Sequence, residues 1–243
     1  MKKRFLFALF AALTLMAGCS KEEDDATSMD SRPPSGNGLF SVAEGRQVRF
    51  APGNLVYEND AYRFAEHQYD YGGLFGWGTG SNPTETSTDN YDYPLFDDWG
   101  SHIAGGWRTL TIDEWRYVIL NRPDASSKRG AATLCGVHGI ILLPDDWEGS
   151  GFTPGFDGRW FTNVYDAESW FEMEASGAVF LPAAGFRYGS GVHDVGDYGG
   201  YWSATPRNDV SAYHIIFDDS IVSYYYFPNR SHGQSVRLAQ DNN

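Results

Sequence analysis

Residues 107–115 read Trp-Arg-Thr-Leu-Thr-Ile-Asp-Glu-Trp and contain a clear signal for the start of a helix. Thr111 and Glu114 have the spacing of a capping box, in which the side chain of each residue accepts a hydrogen bond from the backbone N–H of the other. The helix that follows carries three apolar residues on one face, which are Trp115, Val118 and Ile119. The sequence therefore predicts a helix that begins after Thr111 and packs against the core.

The rest of the chain predicts a second helix and many short strands. That helix covers about residues 166–175 and stops at Gly177. Asn59 and Asp60 form a turn-forming pair that predicts a hairpin. Strands are predicted at residues 47–50, 54–57, 62–65, 140–143 and 178–181 and within 201–238.

Residues 70–106 contain many Gly, Asp and aromatic residues with little periodicity, which predicts long ordered loops of the kind that often carry function. The whole chain is 16% aromatic and has 28 Gly, which favours short strands, tight turns and ring-lined surfaces. Two helices among many strands, without regular strand–helix alternation, indicate the α+β class.

Four stretches carry a resemblance to known proteins. Residues 107–115 resemble the helix-entry motif of formylglycine-generating-enzyme-like members of the C-type lectin fold. Residues 177–187, 200–204 and 233–238 are similar to bacterial surface lipoproteins of the Fibrobacter-succinogenes major paralogous domain type. The resemblance covers most of residues 40–239. It implies a C-type-lectin-like fold with two helices and several short antiparallel strands, whose ends meet in a small sheet and whose long loops carry the binding surface.

The N-terminal stretch predicts a lipoprotein signal peptide, residues 1–18. A positive segment at residues 2–4 precedes an apolar run at 5–16 that is too short to span a bilayer comfortably. Ala-Gly at 17–18 directly before Cys19 resembles a bacterial lipobox. The resemblance implies cleavage before Cys19 and diacylation of that residue, for example with palmitate; an ordinary signal peptide with an incidental cysteine is the alternative.

Residues 19–38 predict the lipid anchor and a flexible stalk. The acidic run at residues 20–25 resembles the export signal that directs lipoproteins of some Gram-negative anaerobes to the outer face of the outer membrane; a solvated spacer is the alternative. We therefore expect a cell-surface protein that contacts the membrane only through lipid on Cys19. The domain is predicted at 39–239, followed by a short tail at 240–243.

Composition and motifs exclude several classes of function. A formal net charge of −14, from 18 Lys and Arg against 32 Asp and Glu, argues against nucleic acid and against anionic lipid surfaces. The histidines lack metal-ligand spacing, and Cys135, predicted to be a buried small residue, cannot supply the cysteine pair of formylglycine-generating enzymes. We therefore expect no metal site, no cofactor and no catalytic residues.

Three acid pairs are candidate calcium ligands: Asp97-Asp98, Asp145-Asp146 and Asp218-Asp219. Adjacent carboxylates rarely converge on one ion, and solvated acids in turns are the favoured interpretation.

The C-terminal segment carries the predicted binding site. Alternation along residues 212–218 places Tyr213, Ile215 and Phe217 on the core face and leaves His214 and Ile216 exposed. Three Tyr and a Phe in a row at 224–227 cannot all be buried, and Tyr suits a binding face. The predicted ligand-binding residues are Arg207, Asn208, Asp209, His214, Ile216, Ser223, Tyr224, Tyr225, Tyr226, Phe227, Asn229, Ser231 and His232. The alternative is that these rings close the end of the domain or fill an edge strand.

Together these features predict a non-catalytic surface lipoprotein that binds an unidentified protein or glycan through its C-terminal strands and the 70–106 loops. A carbohydrate-active or modifying enzyme with an unrecognised acid pair is one alternative, and a structural surface or adhesin subunit is another. The tail also resembles the variable region of proteins diversified by diversity-generating retroelements. That resemblance implies a template repeat and a reverse transcriptase in the neighbouring DNA.

Overall fold

The structure is a computed structural model that describes residues 38–242. The predicted signal peptide, Cys19 and all of the stalk except Gly38 lie outside these residues. Between residues 38 and 242, no helix has both the length and the apolar character needed to cross a membrane.

Both predicted helices are confirmed. Helix α1 (Ile112–Arg116) begins at the capping box of Thr111 and Glu114 and continues as a π-helical turn over Tyr117–Asn121. Helix α2 (Ala167–Ala175) also begins with a capping box, formed by Asp166 and Ser169. Short 3₁₀ turns lie at Asn90–Asp92, Trp99–His102 and Ala125–Ser127.

Within residues 38–242 the strands form three sheets and two separate hairpins. They are β1 (Phe40–Ala43), β2 (Arg46–Phe50), β3 (Leu55–Glu58), β4 (Ala61–Phe64), β5 (Arg129–Leu134), β6 (Val137–Leu142), β7 (Val164–Tyr165), β8 (Val179–Pro182), β9 (Phe186–Tyr188), β10 (Gly191–His193), β11 (Gly199–Pro206), β12 (Ala212–Phe217), β13 (Val222–Tyr226) and β14 (Ala239–Asp241). The sheet orders are β1-β2-β14, β7-β5-β6-β8 and β11-β12-β13, and β3–β4 and β9–β10 are the hairpins. Every pair is antiparallel except β5 with β7.

The predicted hairpin and the predicted loops are confirmed. Asn59 and Asp60 connect β3 to β4 with φ values of 52° and 59°, as a two-residue turn with both central residues at positive φ requires. Residues 70–106 contain only the short 3₁₀ turns and isolated bridges. Two helices among many antiparallel strands give an α+β architecture, as the sequence predicts.

A charge network joins the two ends of the domain. Strand β14 pairs with β2, so residues near both ends lie in one small sheet. Arg108 donates two hydrogen bonds to Glu114, both of 2.9 Å, and two to Asp241, of 2.9 and 2.7 Å. Burial alone raises the pKa of Glu114, but the hydrogen bonds from Arg108 and Thr111 outweigh it and hold that pKa below its usual value. Arg108 therefore links Glu114 on α1 to Asp241 on β14.

The interpretation of the acid pairs as solvated turn residues is wrong for two of them. Asp145 is half-buried and accepts hydrogen bonds from Ser41, Gln47 and Arg122. Asp98 is half-buried and accepts from the backbone N–H of Gly100 and Thr109. Both carboxylates are structural: Asp98 caps the turn that follows it and also binds Thr109, and Asp145 binds donors 23 or more residues away in the sequence.

Cys135 was predicted to be buried, but it is half-buried. It lies in the turn between β5 and β6 with a φ of 49°. The turn position brings this residue towards solvent.

Candidate functional site

The sheet β11-β12-β13 is covered on both faces. On one face, Tyr201, Ile215 and Phe217 belong to the main core, with Tyr224 packed against it. On the other face, Trp202 belongs to a second core cluster that includes Trp77 and Val236. Strand β13 is one of the two edge strands of this sheet, and its last two residues, Tyr225 and Tyr226, are exposed.

His214 and Ile216 were predicted to be exposed, and this is wrong. Their exposed fractions are 2% and 7%. The His214 ring meets the Trp202 ring edge-on, with centroids 5.8 Å apart, and its Nε2 lies 2.9 Å from the hydroxyl of Tyr198. The prediction assumed that one face of the sheet is exposed to solvent. In the structure, that face packs against a second core cluster.

Burial also controls the titration of this cluster. It lowers the pKa of His214 to about 3, and it raises the pKa of the Tyr198 hydroxyl above its usual range. Burial and the charge of Arg187 lower the pKa of His232, whose ring stacks on Phe186 with centroids 5.8 Å apart. Both histidines are therefore neutral at neutral pH.

Ser231 was also predicted to contact ligand, and this is wrong because it is fully buried. Its backbone N–H and its hydroxyl both donate to Oδ1 of Asn90, at 3.2 and 2.8 Å. This residue fixes the 90–94 loop to the C-terminal segment.

The remaining predicted residues divide into exposed and half-buried groups. Six are exposed, and we call them the C-terminal patch: Arg207, Asn208, Asp209, Tyr225, Tyr226 and Asn229. Tyr225 and Tyr226 have exposed fractions of 71% and 50%. Four are half-buried, namely Ser223, Tyr224, Phe227 and His232.

Four aromatic rings, three of them half-buried and one, Tyr225, exposed, form a continuous array at this edge of the sheet. Tyr213, Phe227, Tyr225 and Tyr224 meet in sequence, each pair edge-on, with centroids 6.0, 6.3 and 6.5 Å apart. A β-bulge in β13 places Tyr224 and Tyr225 opposite a single residue of β12, which turns Tyr225 outward. We call these four residues the ring array.

An arginine stacks on each side of the ring array. The guanidinium carbon of Arg207 lies 3.7 Å from the centroid of the Phe227 ring, and that of Arg116 lies 5.1 Å from the Tyr224 ring. Such cation–π contacts contribute about 0.5–1 kcal/mol at exposed sites. Arg116 comes from α1, and no local pattern in the sequence connects it to the patch.

Arg230 holds the loops below the patch in place. It is buried and donates to the carbonyl oxygens of Tyr93, Pro94 and Asn208, at 3.0, 3.0 and 2.6 Å, while its guanidinium lies over the Trp77 ring. The loop between β11 and β12 and the 90–95 loop are thereby fixed to one cation.

Arg187 makes a second set of bonds of the same kind. It is also buried, and it donates to the carbonyl oxygens of Leu74, Glu85 and Gly189. Two further exposed rings, which the sequence did not indicate, lie beside these contacts. Tyr91 lies in the 90–95 loop that Arg230 binds, and Tyr188 precedes Gly189, which Arg187 binds. The backbone around the patch is therefore bound at several points by two buried arginines.

One polar cleft of about 460 Å³ lies elsewhere, beside the β3–β4 hairpin. Its lining includes Tyr57, Arg63, His67, Asp70 and Thr84, and none of the residues of the C-terminal patch. Within residues 38–242, no three His, Cys, Asp or Glu side chains are grouped to hold a metal ion.

The fold and this surface define an α+β protein with an exposed edge of tyrosine and arginine side chains. A family model described as a domain of unknown function, DUF8237, matches residues 162–239, a span that contains the whole C-terminal patch. No curated protein and no solved structure matches the chain.

Proposed function

We propose that this protein is a non-catalytic binding protein that recognises a protein or glycan ligand through the C-terminal patch. The observation that carries the proposal is the exposure of Tyr225 and Tyr226 on a strand whose backbone and neighbouring loops are fixed. Tyrosine gives a large contact area with few rotatable bonds, and a fixed backbone lowers the entropy lost on binding.

A C-type-lectin-like fold is part of the proposal. It is supported by the pairing of β2 with β14 near the two ends of the domain, by the two helices and by the long ordered loops at 70–106. In that fold the loops carry the binding surface, and the patch combines the β11–β12 loop and Asn229 with Tyr225 and Tyr226 at the end of β13.

Binding through this patch is tested by alanine substitution of its exposed rings. We expect Tyr225→Ala and Tyr226→Ala each to weaken ligand binding about tenfold or more, since central tyrosines of interfaces often contribute 1–2 kcal/mol or more. The full chain, purified in detergent, would be applied to glycan and protein arrays, and hits would be titrated by interferometry.

Phe171→Ala is the matched control, because Phe171 is an equally exposed ring on α2. A ligand whose affinity is unchanged in both tyrosine variants would contradict recognition through the patch. Turnover of a ligand that is lost when one acid is replaced would favour an enzyme, and self-assembly without ligand would favour a structural subunit.

We also propose that the protein is a lipoprotein anchored through Cys19 on the outer face of the outer membrane. Metabolic labelling with a palmitate analogue should mark the wild-type chain and not Cys19→Ser. Protease added to intact cells should remove the wild-type domain; a labelled Cys19→Ser chain would contradict acylation at this residue.

Diversification of the patch is proposed with this function. The residue types at positions 207–232 are ones that adenine changes in Asn codons can produce. Genomic DNA that lacks a near-copy template repeat and a reverse transcriptase beside the coding sequence would contradict it.

A further inference from the structure

We propose that the ligand of the C-terminal patch is a protein segment whose carboxylates are bound by Arg116 and Arg207. This inference rests on the proposed function and names the partner of the same site. It is drawn from the two arginines that flank the ring array and from their surroundings.

The first observation is that both guanidinium groups are unpaired. Both residues are exposed, and the ion pairs among residues 38–242 use other cations, namely Arg46, Arg63, His67, His102, Arg108 and Arg122. In a chain with 32 acidic and 18 basic residues, two exposed arginines without a carboxylate within 4.0 Å are available to a partner.

The second observation is the position of the two guanidinium groups over aromatic rings. The guanidinium carbon of Arg207 lies 3.7 Å from the centroid of the Phe227 ring, and that of Arg116 lies 5.1 Å from the centroid of the Tyr224 ring. These contacts place both groups beside the ring array. A guanidinium can bind the two oxygens of a carboxylate through two parallel hydrogen bonds.

The third observation is the charge around the site. Asp209 is exposed in the same loop as Arg207, and the whole chain carries a net charge of −14. A uniformly acidic partner is repelled by this field, so a partner gains only where its carboxylates lie opposite the two arginines. The repulsion makes the interaction selective.

The shape of the surface favours a protein over a saccharide. Small ligands bind mainly in concave pockets, and the 460 Å³ cleft contains none of the patch residues. Tyr and Arg together are the residue types enriched at the centres of protein interfaces. Side chains rather than strand pairing provide the contact, because β13 is bulged and the N–H of Tyr225 already donates to Ser223 Oγ.

The test is a selection of random displayed peptides on the full chain. We expect the peptides that bind wild type and lose binding to Tyr225→Ala to be enriched in Asp and Glu. Their affinity should fall about tenfold in Arg207→Gln and in Arg116→Gln, and should be unchanged in Arg63→Gln, an exposed arginine outside the patch. Arg116 and Arg207 are both exposed, and matched melting curves would verify that the variants fold.

The outcomes separate this inference from the function on which it rests. Peptides that depend on Tyr225 but are not acidic, or that are insensitive to both arginine substitutions, would overturn the inference and leave the proposed function intact. Tyr225-dependent binding to glycans alone, in a parallel array of anionic and neutral glycans, would also overturn it. If neither peptides nor glycans bind in a Tyr225-dependent way, the inference and the proposed function both fail.

Discussion

Single buried charges in this protein are satisfied in two different ways. Glu114 and Asp145 are bound by arginine and by neighbouring N–H or hydroxyl groups. Arg230 and Arg237 are bound by backbone carbonyl oxygens, and burial lowers the pKa of Arg237 to about 10, which leaves it charged at neutral pH. Removal of either kind of partner leaves a buried group unsatisfied.

We expect Glu114→Gln to lower the free energy of unfolding by about 1–3 kcal/mol, the range for hydrogen bonds to charged groups. The substitution keeps the shape of the side chain but removes the charge that pairs with Arg108. Urea denaturation followed by tryptophan fluorescence measures the change. Glu44→Gln, at an exposed site, is the control, and equal losses in the two variants would contradict a structural role for Glu114.

We expect the free energy of unfolding to fall as the pH drops below about 6.5. The pKa of His214 is about 3 in the folded chain against an ordinary 6.5, so below pH 6.5 the unfolded chain binds a proton that the folded chain does not. The slope approaches about 1.4 kcal/mol per pH unit for one such group, and His232, whose pKa is also lowered, acts in the same direction.

Denaturation curves at pH 8, 7, 6 and 5 check this dependence. Stability should be nearly constant between pH 8 and 7, where both histidines are neutral in both states. In His214→Phe the slope between pH 6.5 and 5 should be smaller, although its stability at pH 7 is reduced. An unchanged slope in that variant would exclude His214 as its source.

At the scale of elements, the sequence predicted the pieces whose signals are local. The capping box at Thr111 and Glu114 and the turn at Asn59 and Asp60 depend on residues only a few positions apart, so a single sequence contains the whole signal. The burial of His214 depends on Tyr198 and on a second core cluster brought there by long-range pairing. Alternation along one strand cannot show how many faces of its sheet are covered.

In the candidate site, too, the features with local signals were predicted and the contacts between residues distant in sequence were not. The exposure of Tyr225 and Tyr226 follows from the rule that a strand cannot bury every ring in a row. The contributions of Arg116 and Tyr188 were missed because they come from α1 and β9, which are distant in sequence. The role of Ser231 was mistaken because its acceptor, Asn90, lies in another loop.

We expect Arg230→Met to loosen two loops and leave the central sheet intact. The substitution leaves the carbonyl oxygens of Tyr93, Pro94 and Asn208 without their donor, at a cost of about 2–4 kcal/mol. Amide hydrogen exchange should become faster in residues 90–95 and 207–211.

Strands β5 and β6 are the internal reference, since they should keep their protection. Arg63→Met, at an exposed site, is the control. Faster exchange that is uniform over the whole chain would show that Arg230 supports global stability rather than these two loops.

At the scale of the whole molecule, the last strand closes the domain. Ala239, Gln240 and Asp241 pair with β2, and the backbone of Ala239 exchanges two hydrogen bonds with Arg108. The chain is therefore complete as a folded unit only when residues from both ends of the described range are present.

We expect deletion of residues 239–243 to lower the free energy of unfolding by about 3–5 kcal/mol, since about five backbone hydrogen bonds and the Arg108–Asp241 pair are lost. Asp241→Asn keeps the strand and removes only the charge, so its loss should be smaller. Thermal melting and urea denaturation measure both. A deletion variant as stable as wild type would show that β14 does not close the fold.

The carbonyl contacts of Arg187 and Arg230 have a consequence for evolution. Every amino acid supplies the same main-chain oxygen, so these anchors do not depend on which side chains the anchored segments carry. Asn208 is held in both ways, because its side-chain oxygen also accepts hydrogen bonds from the backbone N–H groups of Val210 and Ser211 and from the Ser211 hydroxyl. A substitution at position 208 would therefore disturb the loop itself, whereas the anchor that Arg230 provides to its main-chain oxygen would remain.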